Sequence, residues 1–132
     1  MSYTAYKKMK CFSKVFAGLL KANFFRRHIP FMLEFQVTKA CNLSCSYCYA
    51  DLENLYDKDY SLQQLKDIID KFHAMGTRVV RLLGGEPLVR KDIGEFIRYL
   101  RSKDMFIEMA THGQFIPRHL DDLKYLDILQ IS

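Results

Sequence analysis

The chain has 132 residues, 49% of them hydrophobic and 27% charged, with only six Gly and three Pro, the composition of one soluble globular domain. Disordered, collagenous and mucin-like classes are excluded, and the longest charge-free apolar stretch of the N-terminal region, Val15 to Leu20, is far short of the roughly 18 residues a spanning helix needs. The net charge of +5 is uneven: residues 1–33 hold Lys7, Lys8, Lys10, Lys14, Lys21, Arg26 and Arg27 and no acid, so the remaining 13 bases face all 15 acids and basicity belongs to an arm, which excludes nucleic acid as the expected partner of the domain.

The arm, residues 6–27 within a segment taken as 1–30, places Met9, Phe12, Phe16 and Leu19 at spacings of three and four, with Val15 and Leu20 widening the stripe. That is an amphipathic helix, which either packs its Phe face on the domain or lies on an anionic membrane surface. Lysines interrupt its apolar core and no small-residue cleavage pattern follows, so it is not read as a signal peptide. Pro30 closes it.

From Met32 the periodicity alternates between two and 3.6, the signature of βα units feeding a parallel sheet. The first strand is Met32 to Thr38. Ser61 and Gln64 form a capping box that opens a helix through Leu65, Ile68, Ile69, Phe72 and Met75, ending at Gly76. Val79 to Leu83 is the second strand; Ile93, Phe96, Ile97 and Leu100 mark the second helix. Met105 to Ala110 is the third strand, a short helix follows Pro117 through Leu120 and Leu123, and Asp127 to Ile131 is the fourth strand. The domain is taken as 31–132.

The unusual residues all follow strands. Cys41, Cys45 and Cys48 come after the first, Gly84, Gly85, Glu86 and Pro87 after the second, Thr111, His112 and Gly113 after the third, and Ser132 after the fourth. In a parallel sheet or barrel those loops converge on one edge, where sites are built. Three thiols at Cys-x3-Cys-x2-Cys spacing suit zinc or an iron-sulfur cluster. A closed structural zinc site wants a fourth ligand, and none lies nearby; Cys11 is some 30 residues upstream. Three close cysteines cannot all pair, which argues against disulfides. His28, His73 and His119 carry no partner pattern and default to packing roles, while Gly-Gly-Glu-Pro by itself reads as a turn.

Together, Cys41-Asn42-Leu43-Ser44-Cys45-Ser46-Tyr47-Cys48 and Gly84-Gly85-Glu86-Pro87 resemble the cluster motif and the Gly-Gly-Glu-Pro motif of the radical S-adenosylmethionine superfamily, in the right order over residues 32–132. Thr38, Ala40 and the Leu-Val-Arg-Lys-Asp run after Pro87 are similar to the branch of peptide-modifying and cofactor-maturing enzymes. The resemblance implies a 4Fe-4S cluster on Cys41, Cys45 and Cys48, with S-adenosylmethionine on its open iron. Tyr47 would press on the adenine, Gly84 and Gly85 would admit the methionyl amino group, and Glu86 would offer it a carboxylate. Thr111 belongs to the matching Thr-x-Gly turn, in which His112 replaces the family's usual Asn, and Ser132 resembles a Ser that contacts the ribose or methionine carboxylate. Reductive cleavage would yield a 5'-deoxyadenosyl radical for hydrogen abstraction from a substrate the sequence does not specify.

The implied fold is a partial parallel (β/α) barrel of about four strands, preceded by the helical arm. A barrel unit takes roughly 31 residues, and the family core has six strands, so the chain reads as the N-terminal half of such an enzyme, with a C-terminal half or partner chain expected to cover strand four. The expected partners are a one-electron reductant such as ferredoxin or flavodoxin and, through the arm, a membrane surface; the expected compartment is the cytoplasm. A non-catalytic metal-binding module, zinc or electron-transfer iron-sulfur, is the alternative, against which Gly84, Gly85 and Glu86 argue because such a module has no use for an amino-acid docking loop.

Overall fold

The computed structural model describes residues 9, 13, 14, 16–18, 20, 29–48 and 59–132. Four parallel strands, β1 (Met32–Gln36), β2 (Val79–Leu83), β3 (Phe106–Thr111) and β4 (Ile128–Ile131), pair in the order β1-β2-β3-β4. Between them run α1 (Leu62–Met75), α2 (Ile93–Ser102) and α3 (Ile116–Leu123). Consecutive order means that each crossover steps one strand in the same direction. This is the winding of a barrel wall rather than of a doubly wound sheet, whose order reverses at a switch point. Among the described residues the sheet is an open one of four strands.

The helices cover the face on which the apolar residues of the strands are continuous. Phe35 and Val37 on or beside β1, Val80 and Leu82 on β2 and Ile107 and Met109 on β3 are buried against Leu65 and Ile69 of α1 and Ile93, Phe96, Ile97 and Leu100 of α2. Phe35 meets Phe96 edge to face, ring centroids 6.2 Å apart. Each such fully buried side chain contributes about 1.5–3 kcal/mol relative to exposure, so the helix-bearing face is what holds the sheet together.

The other face carries Glu34, Arg81, Glu108 and Gln130. Strand register sets Arg81 beside Glu34 and Glu108, and its guanidinium lies 3.4 Å from Glu34, 3.8 Å from Glu108 and 2.5 Å from Gln130. This charged row runs across the middle of the face, and the apolar Met32, Val79, Phe106 and Ile128 share that face at the N-terminal ends of the strands.

Local signals set the ends of the elements. The Ser61 side chain accepts from the Gln64 N–H while the Gln64 side chain accepts from the Ser61 N–H at 2.8 Å, the reciprocal cap that starts α1. Gly76 ends it at φ +112°, a left-handed conformation open to glycine. β1 pairs over 32–36 only; residues 37–40 leave the strand to approach the loop after β2. In α3, Leu123 packs on the core but Leu120 is exposed, so only part of the expected apolar face is used.

The described residues of the arm are helical, as its periodicity implies. Met9, Phe16 and Leu20, the described members of the stripe, are each more than half exposed. Lys14 pairs with Asp104 at 3.0 Å, an exposed contact worth little by itself. Phe12, Val15, Leu19, Cys11 and His28 lie outside the described residues.

Candidate cofactor site

The C-terminal ends of the strands meet around one cavity of about 260 Å³. Cys41, Cys45, Tyr47 and Cys48 line it from the loop after β1, and Gly84, Gly85 and Glu86 from the loop after β2. Thr111 and His112 from the end of β3, and Ser132 from the end of β4, complete the wall. These ten residues, all from the loops singled out in the sequence, therefore share one space.

What joins the first two loops is backbone. Gly85 N–H donates to the Thr38 carbonyl at 2.9 Å and Glu86 N–H to the Ala40 carbonyl at 2.8 Å, continuing beyond the strands the contact that Val37 N–H makes with Leu83. A Cβ on Gly84 would stand 2.5 Å from the Thr38 oxygen and one on Gly85 2.4 Å from the Ala40 oxygen. The two glycines are there because the segment that leads into Cys41 runs against them, a closeness no side chain allows. Asp59 anchors the chain on its return: its carboxylate accepts the Thr38 hydroxyl and, at 2.9 Å, the Lys39 N–H.

The cysteine loop is turned by Cys48 N–H donating to the Cys45 carbonyl at 3.1 Å. Cys41 is half-buried and accepts the Leu43 N–H at 3.4 Å; Cys45 and Cys48 are exposed, and all three thiols are free. Among the described residues no three His, Cys, Asp or Glu side chains already surround one point. The donor set nevertheless fits an iron-sulfur cluster: three soft thiolates opening on one cavity, with no carboxylate or imidazole interleaved in the loop to favour a harder ion.

Glu86 is 1% exposed, yet fully satisfied. One carboxylate oxygen accepts the Leu88 N–H at 2.9 Å and the Thr111 hydroxyl at 2.8 Å, and the other accepts the His112 N–H at 3.0 Å. A buried carboxylate held by three donors is fixed in orientation. Thr111 in turn accepts the Gly113 N–H at 3.1 Å through its hydroxyl, and the Ser132 N–H at 3.1 Å through its carbonyl. Tyr47 is 85% exposed at the cavity mouth, and Ser132 is exposed at its far side.

Asn42, Gln114 and Asp59 do not line the cavity but hydrogen-bond the loops that do, a role the sequence does not single out. Asn42 directly follows the first cysteine, and Gln114 follows Thr111-His112-Gly113, so adjacency to the motifs was the signal available. His73 and His119 take no part in it; His119 lies 3.9 Å from Asp122 on α3.

The sequence profile of the Radical SAM superfamily matches residues 35–132. The chain is 36% identical over 84 residues to the mycofactocin maturase MftC of Mycolicibacterium smegmatis, covering 64% of this chain and 21% of the maturase. It is 37% identical over 103 residues to the GTP 3',8-cyclase of Synechocystis, covering 76% of this chain and 32% of the cyclase. SuiB of Streptococcus suis, in crystal structures with S-adenosylmethionine and with the precursor peptide SuiA, superposes with TM-scores of 0.65 and 0.67 at 18% and 21% identity, over 86% of this chain and about a quarter of SuiB. The chain spans between about a fifth and a third of the lengths of the curated relatives it matches.

Proposed function

The chain belongs to the radical SAM superfamily, whose enzymes work with a 4Fe-4S cluster and S-adenosylmethionine, and from that premise we propose that Cys41, Cys45 and Cys48 hold the cluster while the surrounding loops hold the S-adenosylmethionine. The observation that carries the assignment is the single cavity shared by the three thiols, Gly84 to Glu86, Thr111 and Ser132. When bound, the pair supplies one-electron reductive cleavage of the sulfonium, with methionine released and a hydrogen atom taken from substrate by the 5'-deoxyadenosyl fragment.

The residues of the chain position and shield. Gly84 and Gly85 keep the loop after β2 flush against residues 38–40, which fixes the distance from the thiols to the amino-acid end of the site. Glu86, locked by its three donors, braces the loops after β2 and β3 and gives that end of the cavity a negative charge suited to an ammonium group. Tyr47 offers a ring for the adenine and Ser132 a hydroxyl at the far side, while Thr111, whose hydroxyl is spent on Glu86 and Gly113, holds the wall between them.

The substrate class we favour is a peptide or the precursor of a cofactor. Support comes from the likeness to a maturase and from the precursor peptide bound in one SuiB structure. The reductant is a low-potential one-electron donor of ferredoxin or flavodoxin type, and the unpaired edge of β4 is the place for further strands of the barrel, from this chain's continuation or from a partner. The arm adds peripheral attachment to an anionic membrane: residues 6–27 combine bases without acids with exposed Met9, Phe16 and Leu20. No helix among the described residues is long and apolar enough to cross a membrane.

Anaerobic reconstitution tests the central assignment. About four irons per chain are expected, with weak binding of S-adenosylmethionine and only slow formation of 5'-deoxyadenosine on addition of dithionite, because the four strands enclose only part of the pocket. Stoichiometric zinc that iron does not displace would overturn it.

A further inference from the structure

His112 stands where three loops meet, and its hydrogen bonds form a closed circuit. The Nδ1 atom accepts the Gln114 N–H at 3.2 Å, which leaves the proton of the neutral ring on Nε2. Nε2 lies 2.9 Å from the Asn42 carbonyl oxygen and 3.2 Å from the Glu86 carboxylate. Because Asn42 spends its oxygen on His112, its amide nitrogen is free to donate to Gln114, and it does so at 2.8 Å. Each of the three bonds, His112 to Asn42, Asn42 to Gln114 and Gln114 to His112, has one donor and one acceptor, so the circuit is consistent in a single protonation state. Phe115, with its centroid 5.7 Å away, flanks the imidazole.

Asn42 is the residue between Cys41 and Leu43. With both ends of its amide held, the backbone carrying Cys41 is tied to the end of β3, and Cys41 is the half-buried thiol of the three. Cys45 and Cys48 are exposed, on a stretch of loop that the circuit does not touch. An imidazole reaches Asn42 where the shorter side chain of Asn at position 112 does not, because an Asn amide occupies the place of Nδ1 and a Gln amide comes closest to that of Nε2.

We propose that His112 is a positioning residue for Cys41: through Asn42 it sets where the first thiol stands relative to the Glu86 carboxylate, and so the spacing between the cluster and the amino-acid end of the cofactor. The assignment rests on the reading of Cys41 as a cluster ligand, but its first test does not need the cluster.

In the cluster-free chain under anaerobic conditions, the rates of alkylation by N-ethylmaleimide at Cys41, Cys45 and Cys48 are followed separately by peptide mass spectrometry. His112→Ala and Asn42→Ala are each expected to speed Cys41 about fivefold, the effect of one net hydrogen bond, with Cys45 and Cys48 unchanged as internal controls. The double variant is expected to be no faster than either single one, because both break the same circuit. His112→Gln restores slow alkylation of Cys41 and His112→Asn does not. In the reconstituted protein the change in the electron paramagnetic resonance signal of the reduced cluster on adding S-adenosylmethionine follows the same ranking. Unchanged Cys41 rates in both single variants, multiplying effects in the double variant, or rescue by Asn equal to rescue by Gln would overturn the proposal. If His112→Ala is unfolded by circular dichroism, the Gln and Asn variants decide alone. Failure of the unsubstituted chain to take up iron counts against the cluster assignment and leaves the alkylation result standing.

Discussion

Glu86 accepts a hydrogen bond from the Thr111 hydroxyl at 2.8 Å, and that bond joins the loop after β2 to the last residue of β3 in the interior of the site. Both side chains are buried, at 1% and 3% exposure. The acid of the Gly-Gly-Glu-Pro motif is therefore a brace as well as a charge, since the geometry of the cavity wall depends on its being an acceptor at both oxygens.

Replacing it by the isosteric amide tests this. In Glu86→Gln the new NH2 group opposes either the Leu88 N–H and Thr111 hydroxyl or the His112 N–H, leaving a buried donor unmatched. A loss of about 1–3 kcal/mol is expected, read as a lower urea midpoint with unchanged slope in the cofactor-free chain.

Gly85→Ala places a methyl group where the Ala40 carbonyl oxygen lies 2.4 Å away, so the two loops must part. The expected cost is about 1–3 kcal/mol of overpacking, together with reduced iron uptake, because the approach to Cys41 is displaced. Iron content per folded chain, with folding monitored by circular dichroism, separates the two effects. Normal stability and normal iron content would show that the loops need not touch.

Cysteine substitutions separate ligands from bystanders. Cys45→Ala is expected to lower reconstituted iron from about four per chain to below about one, and Cys11→Ala to leave it unchanged. The measurement is iron by colorimetry against protein by amino-acid analysis.

Liposome sedimentation tests the arm. Binding to vesicles with anionic lipid, lost at high salt and lost on deleting residues 1–29, is expected; binding that survives the deletion would place the contact elsewhere.

His73 near the end of α1 gives the fold a dependence on acidity. Burial, reinforced by the neighbouring Arg78 charge, holds its imidazole below the usual histidine range. The unfolded chain then binds the proton more readily, so the neutral ring stabilises the fold above the ordinary value of about 6.5, and that contribution is lost as pH falls through the folded value. The melting temperature should drop on acidification across this window, and His73→Gln should flatten that part of the profile.

Much of this architecture is legible in the sequence because strands and helices report their own burial through periodicity. The reciprocal cap of Ser61 and Gln64, the stop at Gly76 and the limits of β2 are local facts, written in adjacent residues. The three cysteines and the Gly-Gly-Glu-Pro run are likewise local, and their place after successive strands brings them to one edge. What periodicity does not carry is approach between distant segments. Nothing near Gly85 announces the Ala40 carbonyl, and nothing near Gly94 announces the Asp122 carboxylate, which lies where a Cβ would be. The inward turn of Glu86 and the circuit through His112 are of the same kind: the bonds from Glu86 to Thr111 and from His112 to Asn42 span 25 and 70 positions in sequence. The exposed Met9, Phe16 and Leu20 of the arm show the converse, since a periodic pattern reveals an apolar face without saying what covers it.

The consecutive strand order also sets a scale for what the site can hold. Neighbouring strands lie about 4.8 Å apart, so three steps separate the cysteine-bearing rim from Ser132 by roughly 14 Å. A compact ligand standing at either rim reaches two loops at most. Only an elongated molecule laid crosswise over the strand ends, like a bridge deck on four piers, touches all of them, and its two ends then meet different chemistry: soft sulfur at one abutment and hydroxyl oxygen at the other.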